Sequence, residues 1–362
     1  MKQYVIKKQD LIHNIEVIKS KCADAEIIAV LKGNGYGLGI VEFAMVLKSC
    51  GVKFFAVSEV FEAVRLREAG IEDDILLLTA TCDENDIKKC VEQGVILSAG
   101  SPTAYDVITR VCSECEKTAR VHLKIDTGFG RFGFTPDEID LAAECAKKYE
   151  NVNTEGVFSH LSFSFGKKSD ISDKQYDAFC KCIGKLEENG VNIPFKHICN
   201  SCGALRYPHM HMDGVRIGSA FLGRLPLTED FSLKRIGFLR ADVIETRLLP
   251  KGSNVGYANT FKTKKDTEIA VIPIGYKDGF GVEKSRDTFR FVDVLRYMYH
   301  DLRTLNKKNT ITINGSICNI IGRISMYNVI ADITDKQIKT GDIAEVGANP
   351  ILLSGEVERV WE

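Results

Sequence analysis

A lysine follows the first strongly apolar run of the chain, and a glycine-rich loop follows that lysine. Lys32 comes directly after EIIAVL (26–31), and the loop GNGYGLG (33–39) carries Tyr36. A lysine amine can form a Schiff base with a carbonyl compound, and it can act as a base when its pKa is lowered. This strand end is therefore a candidate position for covalent or acid–base chemistry.

Polar residues also end or follow four later apolar runs. They are Lys124, Asp126 and Arg131 at RVHLKI (120–125), His160 at EGVFSH (155–160), Asn200 and Ser201 after FKHIC (195–199), and Arg216 and Gly218 at DGVRI (213–217). Any one of them alone is more simply explained as a side chain that reaches water. Barrel enzymes, however, place their chemistry at the carboxyl ends of parallel strands. Convergence from five strands therefore indicates a functional site.

The segments that must position these residues alternate between strand-like and helix-like patterns. Eight short apolar runs are strand candidates: 26–31, 54–57, 75–79, 95–99, 120–125, 155–160, 195–199 and 213–217. Amphipathic segments lie between them, and several end at a glycine, as helices commonly do. This alternation predicts an α/β fold of parallel βαβ units, and eight strands fit a (β/α)8 TIM barrel. A doubly wound open sheet is the alternative that the strand count leaves open.

The pattern changes near residue 233. From there apolar and polar residues alternate between Gly and Asn turns, which is typical of β-hairpins. We therefore predict a barrel over residues 1–232 and a mostly-β domain over residues 233–362. The segment SRDTFRFVDVLRYMYHDLRTLNKKN (285–309) interrupts the second pattern and is interpreted as a loop or short helix.

Composition and charge exclude several classes of protein. The 362 residues include 48 Lys and Arg against 49 Asp and Glu, a net charge of −1. This balance favours neither nucleic acid nor an anionic membrane as a partner. No apolar run reaches the ~18 residues of a membrane span, and the N-terminal segment lacks the apolar core of a signal peptide. We therefore expect a cytoplasmic protein.

The 12 cysteines are expected to be reduced thiols in such a protein. The pairs Cys112–Cys115 and Cys199–Cys202 have a spacing that zinc ligands use. Nothing around them resembles a zinc ribbon, so no metal site is predicted.

The loops after the last two predicted barrel strands favour an anion. NSCGALRYP (200–208) and RIGSAFLG (216–223) supply the Ser201 hydroxyl and backbone N–H groups near Ser219, in the loops where such barrels commonly hold phosphate. A phosphate anchor opposite Lys32 suggests pyridoxal 5'-phosphate. GFGRFG (128–133) matches a dinucleotide fingerprint. It follows the fifth strand, however, and the next helix begins too late, so this interpretation is disfavoured.

Motifs spread over nearly the whole chain resemble the alanine racemase family. In the family's order they are AVLKGNGYGLG, LKIDTGFGRFGF, SHLS, HICNSCGALRYP, VRIGSAFLG, VGYANTF, IPIGYKDGF and GRISMYNVIADIT. The resemblance implies a pyridoxal phosphate enzyme of fold type III that interconverts L- and D-alanine. It also implies a head-to-tail homodimer whose active sites are shared between subunits.

The resemblance also implies a role for each matching residue. Around the cofactor, Lys32 would be the Schiff-base lysine, and Tyr36, Ser201, Gly218 and Ser219 would lie at the phosphate. Arg216 would face the pyridine nitrogen, His160 would orient Arg216 by a hydrogen bond, and Asn200 would lie beside them. Around the substrate carboxylate they are Arg131, a carbamylated Lys124 that positions it, and the backbone of Met326 of the partner subunit. Tyr276 and Arg323 would line the access channel.

The resemblance further implies a two-base mechanism. Lys32 and Tyr257 of the partner subunit would stand on opposite faces of the substrate α-carbon. Arginine does not readily give up its proton, so Arg216 would leave the pyridine nitrogen unprotonated. The resulting weak electron sink suits racemisation and discourages transamination.

The chain departs from the family pattern at three places that bear on the substrate. Tyr327 stands where the family usually has aspartate, the stretch 284–309 is longer than usual, and the chain ends after GEVERVWE, before a segment that carries a further channel tyrosine. A racemase for serine or another larger amino acid is therefore the nearest alternative.

Two alternatives come from other classes of protein. A non-catalytic pyridoxal phosphate-binding protein would lack the β domain. A decarboxylase of the same broad fold would contribute a cysteine from its C-terminal domain, where this chain has only Cys318, in a hairpin-like segment.

Overall fold

The chain forms two compact units. The computed structural model describes residues 1–22, 24–166, 168–286, 289–304 and 309–362. One unit comprises residues 8–236, and the other comprises residues 1–7 together with residues 237–362. The predicted boundaries of 1–232 and 233–362 differ from this division chiefly because the first residues belong with the C-terminal part.

The first unit is a closed barrel of parallel strands. Its eight strands within the described residues are Glu26–Val30, Phe54–Val57, Asp74–Leu77, Leu97–Ala99, Ala119–Lys124, Val152–Phe158, Phe195–His197 and Gly214–Ile217. The first pairs with the last, and a parallel bridge between Leu76 and Ile96 closes the ring. The strands are mostly buried because they face the barrel interior on one side and helices on the other. The predicted barrel is confirmed, and the open-sheet alternative is wrong.

Helices connect the barrel strands, and local signals fix their ends. Their bounds are Lys8–Lys21, Ile40–Ser49, Val60–Glu68, Glu84–Glu92, Pro102–Glu114, Ile139–Lys148, Asp170–Glu188 and Ser201–Arg206, with short 3-10 turns at Pro136–Glu138 and Pro208–Met210. The Ser101 hydroxyl accepts a hydrogen bond from the Ala104 N–H at 3.2 Å and so caps one helix. Asp83 caps another by accepting from the Asp86 N–H at 3.0 Å.

The second unit is built on a mostly antiparallel sheet. Across the sheet its nine described strands are Glu245–Leu249, Thr267–Ile272, Val329–Asp332, Ser316–Ile321, Thr310–Ile313, Ile343–Val346, Phe238–Asp242, Lys2–Ile6 and Glu358–Trp361. A separate ribbon pairs Asn254–Val255 with Phe261–Lys262. Burial alternates along several strands, as expected when one face packs on a core. The predicted mostly-β domain is confirmed.

The strand Lys2–Ile6 was not among the predicted strands. Tyr4 lies opposite Leu239 on one side and Arg359 on the other. Tyr4 and its two successors are fully buried. Both partner strands follow the whole barrel segment in the sequence, so no local pattern indicates this pairing.

The segment interpreted as a loop or short helix contains a helix of 14 residues, Phe291–Thr304. Residues 287–288 and 305–308 of that segment lie outside the described residues. Further 3-10 turns occur at Tyr257–Asn259, Tyr276–Asp278 and Pro350–Leu352.

Neither a membrane helix nor a metal cluster is found in the described part of the chain. Every helix there is too short or too polar to cross a bilayer. No group of three His, Cys, Asp or Glu side chains in the same ranges could hold a metal ion. All twelve cysteines are free.

Candidate active site

The carboxyl ends of the barrel strands surround one cavity of about 540 Å³. The predicted site residues of the barrel all line it: Lys32, Tyr36, Lys124, Arg131, His160, Asn200, Ser201, Arg216, Gly218 and Ser219. Four of the lining residues in the described ranges are Lys or Arg, and none is Asp or Glu. The cavity is therefore suited to anionic groups.

The turn that carries Lys32 and Tyr36 is left-handed. Residues 33–36 all have φ between 53° and 65°. This conformation costs a non-glycine residue about 1–2 kcal/mol, so glycine at two of the four positions limits the cost. The Gly35 N–H donates to the Leu31 carbonyl at 2.7 Å and closes the turn. The glycines thus let the chain turn sharply while both side chains face the cavity.

Lys32 lies among other cations. Burial lowers its pKa below the ordinary value, the positive charges of Arg131 and Arg216 lower it further, and Glu62 opposes them. Part of the side chain is open to solvent within the cavity, but the surrounding protein limits how much water can stabilise the charged form. A lowered pKa increases the fraction of neutral amine, which is the nucleophilic and basic form.

Tyr36 and Ser201 meet at the backbone of Gly218. A Cβ atom at position 218 would overlap the Tyr36 hydroxyl, so only glycine fits there. The Ser201 hydroxyl oxygen accepts the N–H groups of Gly218 at 2.9 Å and Ala220 at 3.4 Å. Its own hydrogen is left to donate. Burial raises the pKa of Tyr36 to about 12, so its hydroxyl stays protonated and can also donate. These groups form a cradle for an anion.

Asn200 supports that cradle. Its side-chain oxygen accepts from the Gly203 N–H at 3.1 Å and from the Ser164 hydroxyl at 2.7 Å. Its amide nitrogen donates to the Leu161 carbonyl at 3.2 Å. These bonds fix the loop that leads into Ser201.

Arg216 is buried, and protein acceptors surround its guanidinium. Nη2 donates to the carbonyls of Ser159 at 2.6 Å and Ile198 at 2.9 Å, and lies 3.3 Å from His160 Nδ1. Nη1 lies 2.6 Å from His197 Nδ1. The expected contact with His160 is present, and His197 makes a shorter one. Burial lowers the pKa of Arg216 to about 10, which still leaves it charged near neutral pH.

The contacts of Arg216 fix the tautomers of two buried histidines. Because the guanidinium can only donate, His197 Nδ1 must accept, and its proton lies on Nε2. That Nε2 is 2.9 Å from His122 Nδ1, which accepts in turn. Burial lowers the pKa of His122 to about 3 and that of His197 well below its ordinary value, so both are neutral.

Lys124 is buried beside the Phe158 ring. Its Nζ donates to the Ile125 carbonyl at 3.0 Å and lies 4.8 Å from the ring centroid. Burial is the main reason that the pKa of Lys124 falls to about 7, and the charge of Arg216 contributes. About half of this amine is therefore neutral near pH 7.

The glycine motif 128–133 folds around a carboxylate. Asp126 accepts backbone N–H groups from residues 128–131 at 2.8–3.1 Å, and these bonds hold its pKa below the ordinary value although burial opposes them. The loop presents Arg131, whose guanidinium lies 4.5 Å from the Phe129 ring and 4.8 Å from the Phe132 ring. The motif thus positions an arginine at the cavity.

Comparison with known proteins identifies the family. A family model described as the alanine racemase N-terminal domain matches residues 6–226, and one described as the alanine racemase C-terminal domain matches residues 237–354. The chain belongs to the alanine racemase family. The resemblance of the sequence motifs is confirmed, and the chain is an amino-acid racemase, an isomerase.

Relatives of the alanine racemase family align over both units. An alanine racemase of Clostridium tetani is 31% identical over 345 residues, which is 92% of this chain and 82% of the relative. An alanine racemase of Methanococcus maripaludis is 30% identical, over 89% of this chain and 82% of the relative. A solved alanine racemase of Clostridium difficile 630 superposes with a TM-score of 0.87 at 26% identity, covering 100% of this chain and 95% of that one.

The residues expected to act from the second unit are exposed on it. Tyr257 is 69% exposed, Tyr276 48% and Met326 44%. Backbone hydrogen bonds join the segments that carry Tyr276 and Met326. The Tyr276 N–H donates to the Ser325 carbonyl at 3.1 Å, and the Lys277 N–H donates to the Met326 carbonyl at 3.0 Å. The backbone at Gly256, just before Tyr257, packs closely against that of Arg323, since a Cβ atom at Gly256 would lie 3.3 Å from the Arg323 backbone nitrogen.

His122 and His197 belong to the site but are not among the residues predicted from the sequence. A signal was present, because His122 stands two residues before Lys124 and so shares its face of the strand. A Cβ atom at Gly156 on the neighbouring strand would overlap the His122 ring, so this glycine leaves room for it. The His197 ring stacks on Phe158, with centroids 4.9 Å apart and ring planes 4° from parallel.

Proposed function

We propose that this chain is a pyridoxal phosphate-dependent alanine racemase that acts as a homodimer. The observation that carries the proposal is the cavity, which joins Lys32 to an anion cradle and is lined by four cations without an acidic residue. A phosphate and a substrate carboxylate are the anions that such a lining suits. The relatives named alanine racemase support alanine as the substrate.

The residues present fit the cofactor. Lys32 would hold it covalently, and the hydroxyls of Tyr36 and Ser201, with the backbone at Gly218 and Ser219, would hold its phosphate. Pyridoxal phosphate, when bound, supplies an electron sink that acidifies the α-C–H bond of the substrate.

Arg216 would face the pyridine nitrogen and would itself stay protonated. Its Nη2 already donates to the carbonyls of Ser159 and Ile198, and its Nη1 donates to His197. Because His197 Nδ1 accepts from it, the neighbouring ring adds no positive charge. The guanidinium would therefore hold its place while it donates a hydrogen bond without protonating the nitrogen.

Two bases on opposite faces would exchange the α-proton. The Lys32 amine, with its lowered pKa, would take or return a proton on one face. Tyr257 of the partner subunit would do so on the other. The exposure of Tyr257, Tyr276 and Met326 on the second unit supports insertion of this edge into the partner's cavity.

Arg131 would bind the substrate carboxylate together with the backbone of Met326 of the partner subunit. Lys124, with a pKa of about 7, has the neutral amine that carbon dioxide requires to form a carbamate. A carbamate at Lys124 would carry a negative charge toward Arg131 and hold it in place.

Two observations weigh against functions of other classes. The C-terminal family match over residues 237–354 disfavours a non-catalytic pyridoxal phosphate-binding protein. Cys318, which a decarboxylase would need exposed, is fully buried in the strand Ser316–Ile321.

Serine or a larger amino acid remains the alternative substrate. The free state of all twelve cysteines supports a cytoplasmic location.

The test is α-deuterium exchange of L- and D-alanine, followed separately by NMR in deuterated water. The variant Tyr257→Phe removes one base, so exchange from L-alanine should fall by roughly 10²–10⁴-fold. Exchange from D-alanine should persist better, because Lys32 remains. Tyr149→Phe, at a tyrosine that does not line the cavity, should exchange both enantiomers as the wild type does.

Equal losses for both enantiomers in Tyr257→Phe would contradict the two-base assignment. Exchange of L-serine faster than L-alanine in the wild type would instead favour the alternative substrate. Absence of exchange from every standard L-amino acid would contradict the racemase itself.

A further inference from the structure

Glu62 is a buried carboxylate that the mechanism above does not use. It lies in the first turn of the helix Val60–Glu68 and is 1% exposed. No salt bridge to Glu62 is found among the described residues. Its carboxylate oxygens instead accept hydrogen bonds from backbone N–H groups, and these belong to two different loops at the cavity.

One carboxylate oxygen reaches the lysine turn. Oε1 accepts the Asn34 N–H at 2.9 Å, and Asn34 is the non-glycine residue in the middle of the left-handed segment, with φ 53°. The Asn34 side chain then accepts the Ile40 N–H at 3.1 Å, which ties the turn to the next helix. Glu62 thus bonds the backbone of a non-glycine residue in the left-handed turn.

The other oxygen reaches the loop after the next barrel strand. Oε2 accepts the N–H groups of Ser58 and Glu59, each at 3.2 Å. Ser58 lines the cavity together with Lys32 and Tyr36. A single side chain therefore joins the lysine turn to a neighbouring part of the cavity wall.

We propose that Glu62 is a positioning residue that holds the left-handed turn in the conformation that directs Lys32 and Tyr36 into the cavity. The hydrogen bond from Gly35 to Leu31 closes the turn. The hydrogen bonds of Glu62 to both Asn34 and Ser58 fix where the closed turn lies on the barrel. This inference deepens the proposed function, since it rests on the role of Lys32. It concerns the protein before any cofactor is bound.

The variant Glu62→Asp separates positioning from helix capping. Glu62 is the N3 residue of the helix capping box, and aspartate at this position keeps the charge and can still accept from the backbone N–H groups of residues 58 and 59. It is shorter by one methylene group and cannot also span to Asn34. Loss of a hydrogen bond to a buried charged group corresponds to roughly a 10- to 100-fold change in the opening equilibrium.

The measurement is amide hydrogen exchange of the full-length protein without added cofactor, resolved by mass spectrometry. In Glu62→Asp the segment 31–39 should exchange about tenfold faster or more, while the segment 57–68 exchanges as in the wild type. Pyridoxal phosphate should bind this variant about tenfold more weakly. The matched control is Glu68→Gln, an exposed glutamate on the same helix, which should leave all three quantities unchanged.

Unchanged exchange over 31–39, unchanged cofactor affinity, or equal acceleration over 31–39 and 57–68 would each overturn the inference. Glu62→Gln is the second variant, because it keeps the length but has one acceptor oxygen instead of two. At least one of the two segments should then exchange faster, and no change in either would also overturn it. If the wild type fails to bind pyridoxal phosphate, the proposed function fails and the exchange result still decides the role of Glu62.

Discussion

At the residue scale, the cavity holds two arginines whose charges lower the pKa of its two lysines. Burial and Arg216 act on both lysines: the pKa of Lys32 is lowered and that of Lys124 falls to about 7. Burial lowers the pKa of Arg216 itself to about 10. Such a group of charges is least unfavourable when anions occupy the space between them. The chemistry of the site therefore depends on residues that pair with the ligand rather than with each other.

Carbamylation of Lys124 should follow the pKa of its amine. Carbon dioxide reacts with the neutral amine only, so carbamate should form as the pH rises through about 7, where the Lys124 amine loses its proton. An exposed lysine, with its ordinary pKa near ~10.4, should not react in this range. The measurement is the carbamate resonance in ¹³C NMR under labelled carbon dioxide at several pH values. Lys124→Ala should lose it, and a resonance that persists in this variant would assign the carbamate elsewhere.

At the scale of elements, two backbone features decide where the side chains lie: the left-handed turn at 33–36 and the close approach of Tyr36 to Gly218. The first needs glycine for its φ values, and the second needs glycine for its missing Cβ. The first lets Lys32 and Tyr36 line the cavity, and the second brings the Tyr36 hydroxyl against the Gly218 backbone.

The variant Gly218→Ala should therefore displace Tyr36. We expect it to weaken binding of pyridoxal phosphate by tenfold or more, an effect of at least ~1.4 kcal/mol. The matched control is Gly184→Ala in the helix Asp170–Glu188, where an added Cβ meets nothing within 4 Å. That change should stabilise the protein by about 0.5–1 kcal/mol. The measurements are cofactor titration and thermal unfolding, and equal cofactor affinity in both variants would contradict the packing argument.

The same scale explains what the sequence could and could not predict. The eight barrel strands were predictable because each carries a short apolar stretch between amphipathic helices, and the site followed from their carboxyl ends. His122 and His197 were missed because a histidine inside a barrel strand resembles an ordinary buried residue until its neighbours are known. The helix Phe291–Thr304 was underestimated, although Phe291, Leu295, Met298 and Leu302 recur at helical spacing. The strand Lys2–Ile6 could not be found from local pattern, since its partners are remote in sequence.

At the scale of the whole molecule, the proposed active site needs two chains. Lys32 belongs to the unit 8–236 and Tyr257 to the unit that contains 237–362. A homodimer with shared sites would place each lysine opposite the tyrosine of the partner subunit. Each subunit would then be inactive without the other, whatever its own fold.

Mixing two inactive variants tests this sharing. In a heterodimer of Lys32→Ala and Tyr257→Phe, one site carries both defects and the other carries neither. Random exchange of subunits should therefore restore up to roughly a quarter of the wild-type alanine racemisation, since half the dimers are mixed and half of their sites are intact. The measurement is activity after mixing, with subunit exchange followed independently by mass labelling. Complete exchange without recovered activity would argue for sites built within single chains.

The position of Lys2–Ile6 has a consequence for the newly made chain. This strand lies between Phe238–Asp242 and Glu358–Trp361 in the sheet, and neither neighbour exists until the ribosome has passed the whole barrel segment. Synthesis proceeds at about 5–20 residues per second, so an apolar strand with unpaired edges waits for many seconds. During that time it is a natural target for chaperones or for pairing with another nascent chain. The β unit can complete its sheet only after the strand Glu358–Trp361 has been made.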